Sequence, residues 1–593
     1  MGRARAATVI AACAVLAPSG AAAAVPGFER DRLDIFDFHL FDLGVVDYDD
    51  DGDLDLYTVN HLERQSLLRN DGAGSFSERL YPAGLAQTRA FPGWEDRKGP
   101  KVDGPGLYLS AGGKLVLRHR GSGRARGSAE FMFPIRVKSK GNAGARVRRD
   151  RDRNPDRWVA SFTMKGNSRL ALDPERMAHP MVVHVRRPLP LSRIFVGALE
   201  RHPSTRRFRL YLRDRHGMAW ADHTGDRRTD VFIVRGGLRG SIRHLAGAIR
   251  DELLDGRRSR FRPARAASSL RKGTCRARAA GAVNLDSDAR LDLFATCKGR
   301  SPALYRRRGD GRFAKLGTGA LDADVLRFAD LDGHRRPEAL GVHDGRFSVF
   351  EGGGSHWHRV QTLGGRHGPR KDTGLAMGDP DGDGDQDVYV ANPTGSTMLI
   401  NLGGRLRARN PRRYGLPPRA LAASWVDYDN DGRLDLHATP GGLFRKRAGF
   451  KFNRVGGLAT VEDPAEARIA WADLDNDGDR DLVTAARRRI STNRFKTFVH
   501  WAPDPANHWL QLDLRGQRAN AQAVGARVRV RAGGDVQTQW VGQNETSLYS
   551  QGHYRLYFGL GDADKARVAV RWPDGRKRSY GPFAADQLVT LRR

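Results

Sequence analysis

Four short segments of the chain place aspartates at alternate positions, with glycine at position 6 and another aspartate at position 9. Alternate residues of a tight loop can turn their carboxylates toward one centre, and Ca²⁺ prefers six to eight hard oxygen ligands. The glycine permits a sharp turn, position 7 can offer its backbone carbonyl, and position 9 offers a closing carboxylate. Without a cation, carboxylates packed this closely would repel one another. The pattern therefore predicts calcium-binding loops.

The predicted ligand positions 1, 3, 5, 7 and 9 can be read off each complete loop. They are Asp47, Asp49, Asp51, Asp53 and Asp55; Asp379, Asp381, Asp383, Asp385 and Asp387; Asp427, Asp429, Asp431, Arg433 and Asp435; and Asp473, Asp475, Asp477, Asp479 and Asp481. A weaker copy offers four further predicted ligands, with Ala289 at the glycine position: Asn284, Asp286, Asp288 and Asp292. The most degraded copies are Asp222, Thr224, Asp226 and Asp230, with Arg227 at the glycine position, and Asp330, Asp332, His334 and Glu338. The sequence leaves the metal occupancy of these three weaker copies open.

Two other interpretations of the loops have to be weighed. An EF-hand or dockerin-like loop needs an acidic residue at position 12 and flanking helices. Position 12 is occupied instead by Thr58, Val390, Ala438 and Thr484, and β-type segments follow. The second alternative is a set of solvated acidic turns. Four nearly identical copies argue against it, although it stays open for the copies at 222 and 330.

The loops recur along the chain, starting at residues 47, 222, 284, 330, 379, 427 and 473. A period near 48 residues is typical of one four-stranded propeller blade. The longer gap after the first loop corresponds to one blade plus an insertion of roughly 120 residues. A short strand follows each complete loop, as at Leu54 to Val59, and glycine-rich hairpin turns follow the strands. We therefore predict an all-β fold: a seven-bladed β-propeller with a β-rich insertion after the first blade and a small C-terminal all-β domain.

The predicted domain boundaries follow from these patterns. Residues 1–24 form an export signal, 25–505 the propeller, and 506–593 the C-terminal domain, while residues 99–215 interrupt the propeller as the insertion. The insertion is either a separate β-rich domain or a strongly elaborated blade, because apolar and polar residues alternate in several of its segments. Arg146 to Arg153 is expected to be an exposed loop, with an acidic partner as the more specific alternative.

The N-terminus and the cysteines together indicate export. Arg3 and Arg5 precede a short apolar stretch, and Ala22-x-Ala24 offers a small-residue cleavage site. No segment approaches the length of a membrane-spanning helix. Cleavage would remove Cys13 and leave Cys275 and Cys297, for which a disulfide is the expected state and two free buried thiols the alternative. The expected location is therefore secreted or cell-surface associated, and the composition suggests a bacterial chain.

Two parts of the sequence resemble known families. The aspartate loops, each followed by Asp-Leu or Asp-Val, and the hairpins resemble the FG-GAP/VCBS repeats of integrin-α-like propellers over most of residues 28–503. That resemblance implies structural Ca²⁺ in the loops and a role in adhesion or ligand recognition. The C-terminal region resembles the ASPIC/UnbV domain in Gly525 to Val528, Ser550-Gln551, Tyr557 to Gly561 and Trp572 to Gly575. VCBS repeats followed by this domain are the arrangement of the cartilage acidic protein family and its bacterial relatives, from which this chain departs in being strongly basic.

The predicted function is a secreted calcium-binding repeat protein that serves as a ligand-binding or adhesion scaffold. The formal charge of +33 favours anionic partners, so an extracellular protein or an anionic glycan is the expected ligand. The alternative is a polysaccharide-active lyase or hydrolase on a propeller scaffold, but no G-x-S-x-G or H-E-x-x-H motif occurs and the histidines are scattered. Sequence-specific nucleic-acid binding lacks a motif and conflicts with export. No catalytic residue and no cofactor besides Ca²⁺ is predicted, and the oligomeric state is left open.

Overall fold

The computed structural model describes residues 27–61, 65–80, 82–85, 106–109, 114–131, 134–150, 157–175, 182–186, 198–202, 207–211, 214–236, 251–257, 260–270, 276–288, 290–353, 356–363, 373–458, 461, 463–489, 494–517, 519–543 and 547–593. Apart from two short 3-10 helices, Arg265–Ser269 and Pro411–Tyr414, the regular structure of these residues is β. The predicted all-β class is confirmed. In this part of the chain, no helix is long and apolar enough to cross a membrane. The predicted export signal lies outside it.

Most of the described chain forms four-stranded antiparallel sheets. The strands before the insertion are β1 (Glu29–Arg32), β2 (Leu40–Val46), β3 (Asp55–Asn60), β4 (Leu67–Asn70) and β5 (Phe76–Glu78). The insertion contains β6 (Gly106–Leu109), β7 (Leu115–His119), β8 (Arg124–Phe131), β9 (Ile135–Arg149), β10 (Trp158–Pro174), β11 (Val182–Val185), β12 (Ala198–His202) and β13 (Arg207–Tyr211).

After the insertion the four-stranded sheets resume. Their strands are β14 (Arg215–Ala221), β15 (Asp230–Arg235), β16 (Glu252–Arg257) and β17 (Arg260–Pro263); β18 (Ala277–Val283), β19 (Asp292–Cys297), β20 (Arg300–Arg307) and β21 (Phe313–Leu316); β22 (Val325–Ala329), β23 (Glu338–His343), β24 (Arg346–Gly353) and β25 (His356–Leu363); β26 (Gly374–Gly378), β27 (Asp387–Ala391), β28 (Thr397–Asn401) and β29 (Leu406–Arg409); β30 (Ala422–Val426), β31 (Asp435–Thr439), β32 (Gly442–Arg447) and β33 (Lys451–Gly456); and β34 (Glu466–Ala472), β35 (Asp481–Arg487) and β36 (Lys496–Trp501). The strand predicted at Leu54 to Val59 is β3, displaced by one residue.

The sheets close into a ring, because each shares a buried apolar cluster with the next. Clusters lie between β2–β4 and β14–β17, between β14–β16 and β18–β21, between β18–β20 and β22–β25, between β22–β24 and β26–β29, between β26–β28 and β30–β33, between β30–β32 and β34–β35, and between β34–β36 and β2–β4. The last sheet is completed by β1, which pairs antiparallel with β36. The fold is therefore β-propeller-like. Since these sheets are those of the described residues, the blade number of seven stays a prediction.

The insertion forms a single eight-stranded sheet with its own apolar core. The long strands β9 and β10 pair along most of their length. The insertion is thus a separate β unit rather than an elaborated blade. Residues 146–149, expected to lie in an exposed loop, belong to β9, where alternation of Arg146, Val147 and Arg148 suits a pleated strand with one packed face. The predicted boundaries at 99, 215 and 506 stay predictions.

The C-terminal region packs a three-stranded sheet against a four-stranded one around a shared core. Its strands are β37 (His508–Arg515), β38 (Arg527–Ala532), β39 (Asp535–Trp540), β40 (Leu556–Gly561), β41 (Lys565–Arg571), β42 (Lys577–Ala584) and β43 (Gln587–Arg592). Residues 547–554, which lead into β40, leave this domain and enter the ring. Gln551 pairs with Ala219 of β14 in a parallel bridge, and the Tyr549 carbonyl accepts a hydrogen bond from the Ala280 amide of β18.

A buried carboxylate anchors residues 547–554 inside the ring. Asp42 of β2 is fully buried, and its Oδ2 accepts hydrogen bonds from Ser547 Oγ at 2.6 Å and from the Tyr549 amide at 2.9 Å. From the other side, the Arg327 guanidinium donates to the Ser547 carbonyl at 2.7 Å. The first strands of several sheets therefore bind the C-terminal domain at the centre of the ring.

Replacing Asp42 by alanine should destabilise the whole protein and not only one sheet. The Ser547 hydroxyl and the Tyr549 amide would lose their acceptor while remaining buried, which costs about 1–3 kcal/mol per group. We expect a lower urea midpoint and faster proteolysis near residue 505. Asp562→Ala, which removes an exposed carboxylate, is the control. Equal midpoints for the two variants would show that this anchor does not contribute.

Candidate calcium-binding site

Every aspartate loop connects the first strand of its sheet to the second. Asp47 follows β2 and Asp55 begins β3, and the other loops repeat this placement. Because the first strands run side by side around the ring, all the loops open at one end of it. We call this end the loop face. The sequence periodicity thus places the predicted ligand residues in one circular array.

The backbone of the loops explains which residue types occur at two positions. Position 6 adopts a left-handed conformation in the complete loops, with φ of 98°, 91°, 84° and 104° at Gly52, Gly384, Gly432 and Gly478. Position 4 is left-handed as well, for example at Asp50, Asn430 and Asn476. Glycine, asparagine and aspartate tolerate this region best. The alternating turns direct the side chains of positions 1, 3 and 5 to one side of the loop.

Position 9 connects each complete loop to the third strand of its sheet or to the residue after it. Asp55 accepts hydrogen bonds from the amides of Tyr48 at 3.1 Å and Asn70 at 2.9 Å. Asp481 does the same with the amides of Leu474 and Ala502, at 2.9 and 2.8 Å. Position 9 therefore holds the loop and the hairpin together in addition to facing the other carboxylates. In the weaker loops at 222 and 284, Asp230 and Asp292 likewise accept from third-strand amides, those of Gly256 at 2.9 Å and Arg307 at 2.7 Å.

Several carboxylate oxygens of the complete loops are buried without a hydrogen-bond donor among the described residues. They are Asp49 Oδ1; Asp381 Oδ1, Asp385 Oδ1 and Asp387 Oδ2; Asp427 Oδ1, Asp429 Oδ1 and Asp435 Oδ2; and Asp473 Oδ1 and Asp475 Oδ1. Buried acceptors of this kind are costly unless a partner is present. In two complete loops, three acidic groups also approach within 4.8 Å of one another: Asp47, Asp49 and Asp55, and Asp379, Asp381 and Asp383. The residues therefore fit a hard divalent cation such as Ca²⁺.

Two of the complete loops contain a cation from the protein itself. Arg69 of β4 lies 2.9 Å from Asp49 Oδ2 and 2.6 Å from Asp51 Oδ2, bridging positions 3 and 5. Arg445 of β32 bridges Asp429 and Asp431 in the same way, at 2.7 and 3.2 Å. In the loops at 379 and 473, the equivalent places on the third strand are held by Ile400 and Trp501. The loops at 379 and 473 therefore lack the bridging guanidinium that the loops at 47 and 427 have.

The weaker loops differ from the complete ones in how their charge is met. In the loop at 330, the guanidinium of Arg571 from β41 contacts Asp330 and donates to the Gly333 carbonyl. Arg335 occupies the glycine position there with φ of 75°. The loop at 222 still brings Asp222, Asp226 and Asp230 close together. In the loop at 284, the Asn284 side-chain oxygen is buried without a donor.

Neighbouring loops are also joined to one another through position 4, which is not among the predicted ligand positions. Asn430 Nδ2 donates to Asp479 Oδ1 at 2.7 Å, and Asn476 Nδ2 donates to Asp53 Oδ1 at 3.0 Å. Asp50 accepts from both the amide and the hydroxyl of Thr229. Two residues predicted at position 7 thus use their side chains between loops. The signal that could have revealed this is the preference for aspartate and asparagine at position 4.

The C-terminal domain covers the loop face. It hydrogen-bonds to each loop through a different residue pair: Arg555 to Gly52, Gln522 to Asp222, Ala519 to Leu291, Arg571 to Gly333, Arg527 to Gly384, Asn507 to Asp429, and Gln511 to Asp473. A cation bound in a loop would therefore lie beneath the domain, next to side chains that contact the loop. This contact between the two domains was not predicted from the sequence.

Only one of the two cysteines predicted to form a disulfide is among the described residues. Cys297 ends β19 and is buried, whereas Cys275 lies outside the described residues. The pairing of the two cysteines stays a prediction.

The buried loop carboxylates have strongly altered acidities. Burial, followed by the charges of Asp50, Asp51 and Asp49, raises the pKa of Asp47 to about 7. Burial, followed by the charge of Asp381, raises the pKa of Asp387 to about 9. Burial raises the pKa of Asp481 to about 8. In the absence of a cation, these carboxyl groups bind protons more tightly in the folded protein than in the unfolded chain.

Stripped of divalent cations, the protein should lose stability as the pH rises from about 4 to about 9. The folded state binds more protons than the unfolded state across this window, so raising the pH favours unfolding. Calcium should weaken this trend because it binds the ionised carboxylates. Urea denaturation at fixed ionic strength, with EDTA and then with Ca²⁺, measures both slopes. Stability that rises with pH in EDTA would contradict the prediction.

Comparisons with known proteins confirm the resemblances predicted from the sequence. A family model described as an FG-GAP-like repeat matches residues 379–438, which span two complete loops. A model described as ASPIC and UnbV matches residues 516–593. A search of curated proteins finds no match.

Solved structures similar to this chain include lectins and a matrix protein. An Agrocybe aegerita lectin that recognises non-reducing terminal N-acetylglucosamine is 15% identical, with 49% of this chain and 81% of the lectin covered at a TM-score of 0.33. The Vibrio cholerae biofilm matrix protein Bap1 is 14% identical over 51% of this chain and 58% of its own, with a TM-score of 0.26. Aleuria aurantia lectin, solved with α-methyl-L-fucoside, is 12% identical over 49% and 97%, with a TM-score of 0.27. The chain thus combines an FG-GAP-like repeat with a C-terminal ASPIC/UnbV domain on a β-propeller-like fold.

Proposed function

We propose that this protein is a secreted scaffold, stabilised by Ca²⁺, that binds an anionic extracellular ligand. The observation that carries the proposal is the position of the aspartate loops beneath the C-terminal domain. A cation in such a place would stabilise the ring and its contact with that domain, and it would be poorly accessible to a ligand. We therefore assign the loops a structural role. Ligand binding is assigned to other surfaces.

A basic surface on the C-terminal domain is suited to an anionic ligand. Arg529, Arg531, Arg567 and Lys577 are exposed on one face of the sheet β39-β38-β41-β42, and we call them the basic face. Arg531 and Arg567 are directly opposite each other in the antiparallel pair. Within the described residues, none of the four forms an ion pair. Like charges placed opposite each other are destabilising, and an anion bound between them would relieve this repulsion.

The other face of the same sheet explains how the basic face is held rigid. Val528, Val530 and Val568 alternate with the arginines and are buried in the core of the domain. Arg527 and Arg571, at one end of the same row, reach the loops at 379 and 330. The exposed arginines are thus fixed relative to the ring. A ligand that extends from the exposed arginines to the ring would contact a preformed row of positive charge.

Calcium removal should lower the melting temperature of the protein. If free Ca²⁺ is about ten times the dissociation constant, each filled site contributes roughly 1.4 kcal/mol. Differential scanning fluorimetry in Ca²⁺ and in EDTA measures the effect. Ile400→Arg would supply the loop at 379 with a guanidinium in the place that Arg69 and Arg445 hold elsewhere. This variant should show a smaller loss in EDTA than the wild type, and identical melting of the wild type in Ca²⁺ and EDTA would reject the structural role of the metal.

The basic face can be tested by charge reversal. The triple variant R529E/R531E/R567E should bind a sulfated polysaccharide such as heparin roughly 100-fold more weakly, since each basic residue near an anionic surface contributes about 1 kcal/mol. The control, R405E/R407E/R409E, changes the net charge by the same amount. Its three positions are exposed and lie in β29 or directly before it. Surface plasmon resonance at two salt concentrations gives both affinities. Equal weakening in both variants would mean that only net charge matters and would reject the assigned surface.

A further inference from the structure

A cluster of two histidines and an aspartate lies at the end of the ring opposite the loop face. His61 follows β3, while Asp214 and His216 lie at the start of β14. His61 Nδ1 is 2.8 Å from Asp214 Oδ1, His216 Nε2 is 3.1 Å from the same oxygen, and the two ring nitrogens are 3.0 Å apart. Three potential ligand atoms from two neighbouring sheets therefore converge on one point. The aspartate loops do not include any of them.

The hydrogen bonds of His216 fix which of its nitrogens faces this point with a lone pair. His216 Nδ1 is 2.6 Å from the carbonyl oxygen of Ala277 in β18. A carbonyl can only accept, so Nδ1 carries a proton, and in the neutral ring Nε2 is then an acceptor. That acceptor faces the carboxylate of Asp214. Two acceptors at 3.1 Å repel each other unless a proton or another cation lies between them.

A single proton does not satisfy the cluster. His61 Nδ1 can donate one hydrogen, either to Asp214 Oδ1 or to His216 Nε2. With either acceptor, no proton lies between His216 Nε2 and Asp214 Oδ1, and these two atoms still repel each other. A doubly protonated His216 or a metal ion resolves the conflict. A histidine that donates its second nitrogen to a backbone carbonyl is the usual arrangement for a metal-bound imidazole.

The distances are compatible with a tetrahedral metal ion. Zn²⁺ binds histidine nitrogen and carboxylate oxygen at roughly 2.0–2.2 Å, so that tetrahedral ligand atoms lie about 3.3 Å apart. The three observed separations of 2.8–3.1 Å are only slightly shorter. Small side-chain rotations would accommodate the ion. Nitrogen ligands of this kind favour a transition metal over Ca²⁺, which prefers oxygen.

The side chains of Asp214 and His216 are enclosed by their surroundings, whereas that of His61 is partly exposed. The side chains of Asp214 and His216 are 1% and 6% exposed, whereas that of His61 is 36% exposed. Phe41 stacks on the His216 ring with centroids 4.0 Å apart. A side chain at Gly236 would overlap the His216 ring, since an added Cβ would lie 2.2 Å from Nε2. The glycine thus leaves room for the imidazole, and water or a ligand atom can approach from the side of His61.

From this geometry we propose that His61 Nδ1, Asp214 Oδ1 and His216 Nε2 form a transition-metal site, with Zn²⁺ as the preferred ion and a solvent-accessible fourth position. The site connects the sheets β2–β5 and β14–β17, and through Ala277 it reaches the sheet β18–β21. It lies on the side of the ring from which the insertion departs, since the chain enters the insertion after β5 and returns at β14. A metal here would fix the ring at its most interrupted point.

The test uses the full-length protein with its aspartate loops saturated by Ca²⁺. After removal of transition metals, Zn²⁺ is titrated calorimetrically in millimolar Ca²⁺. We expect one Zn²⁺ per chain, and we expect His61→Ala to bind it more than about 100-fold more weakly, because even changes behind a ligand typically cost ~10–100-fold. His61 is the chosen ligand because its partial exposure makes the substitution compatible with folding. His358→Ala, which changes an exposed histidine of β25, should bind like the wild type.

Co²⁺ provides a second readout that does not depend on affinity alone. Tetrahedral Co²⁺ in the wild type should give intense visible absorption bands that are absent in His61→Ala and in Asp214→Asn. The absence of Zn²⁺ binding to the wild type, or equal binding by His61→Ala, would overturn the proposal and leave a hydrogen-bonded imidazolium as the interpretation. Because Ca²⁺ is present throughout, failure here leaves the proposed calcium scaffold and its basic face untouched.

Discussion

The crowding of carboxylates at one end of the ring is the constraint on which the rest of the structure depends. Each loop carries negative charge that the strands bury as they pack, and burial alone disfavours the ionised form. The protein meets this charge in several ways: amide donors at positions 1 and 9, arginines from the third strand in two loops, and Arg571 in a third. Other oxygens, such as Asp381 Oδ1 and Asp475 Oδ1, are buried without a hydrogen-bond donor among the described residues. The sheets can therefore pack tightly only if the charge at their ends is balanced.

This constraint also explains why two domains of different fold are so closely joined. The C-terminal domain touches the same loops that carry the charge, and it does so mainly through amide, guanidinium and backbone groups. A change in the charge of one loop would alter its hydrogen bonds with that domain. Where position 4 joins two loops, it would also alter the contact with the next loop. The loops at 427, 473 and 47 are thus linked in series by side-chain hydrogen bonds. Independent clips, one for each blade, would not be linked in this way.

Much of the fold could be predicted from the sequence because it repeats. The regular spacing of Asp47, Asp379, Asp427 and Asp473, with a glycine at a fixed distance from each, encodes a local turn whose geometry depends on nearby residues alone. The alternation of buried and exposed residues around Val528 and Val530 is likewise a local pattern that is typical of a β-strand. The arginine run at 146–149 was misassigned because charge suggested a loop, whereas the alternating small and apolar residues of a strand decide the structure there.

The contacts between distant segments could not be predicted. His61 and Asp214 are separated in sequence by the whole insertion, so no spacing rule brings them together. Asp42 reads as one more acidic residue in an apolar strand, and only the folded ring shows that it holds Ser547 and Tyr549. The same limit applies to Arg69 and Arg445, whose role depends on the register of the third strand. Local patterns predict the ligand residues, whereas tertiary packing decides which of their carboxylates are already paired with an arginine.

The pairing of β1 with β36 has a consequence for how the chain assembles. Glu29 and Trp501 are partners although nearly the whole propeller lies between them in sequence, and pairing over such a long range is slow because the loop-closure entropy opposes it. Until β36 has been synthesised, β1 has no strand to join, and the apolar edge of the growing sheet array remains exposed. Residues 547–554, which enter the ring, come later still. A chain that has not yet reached residues 547–554 therefore presents an open ring with an unfilled centre.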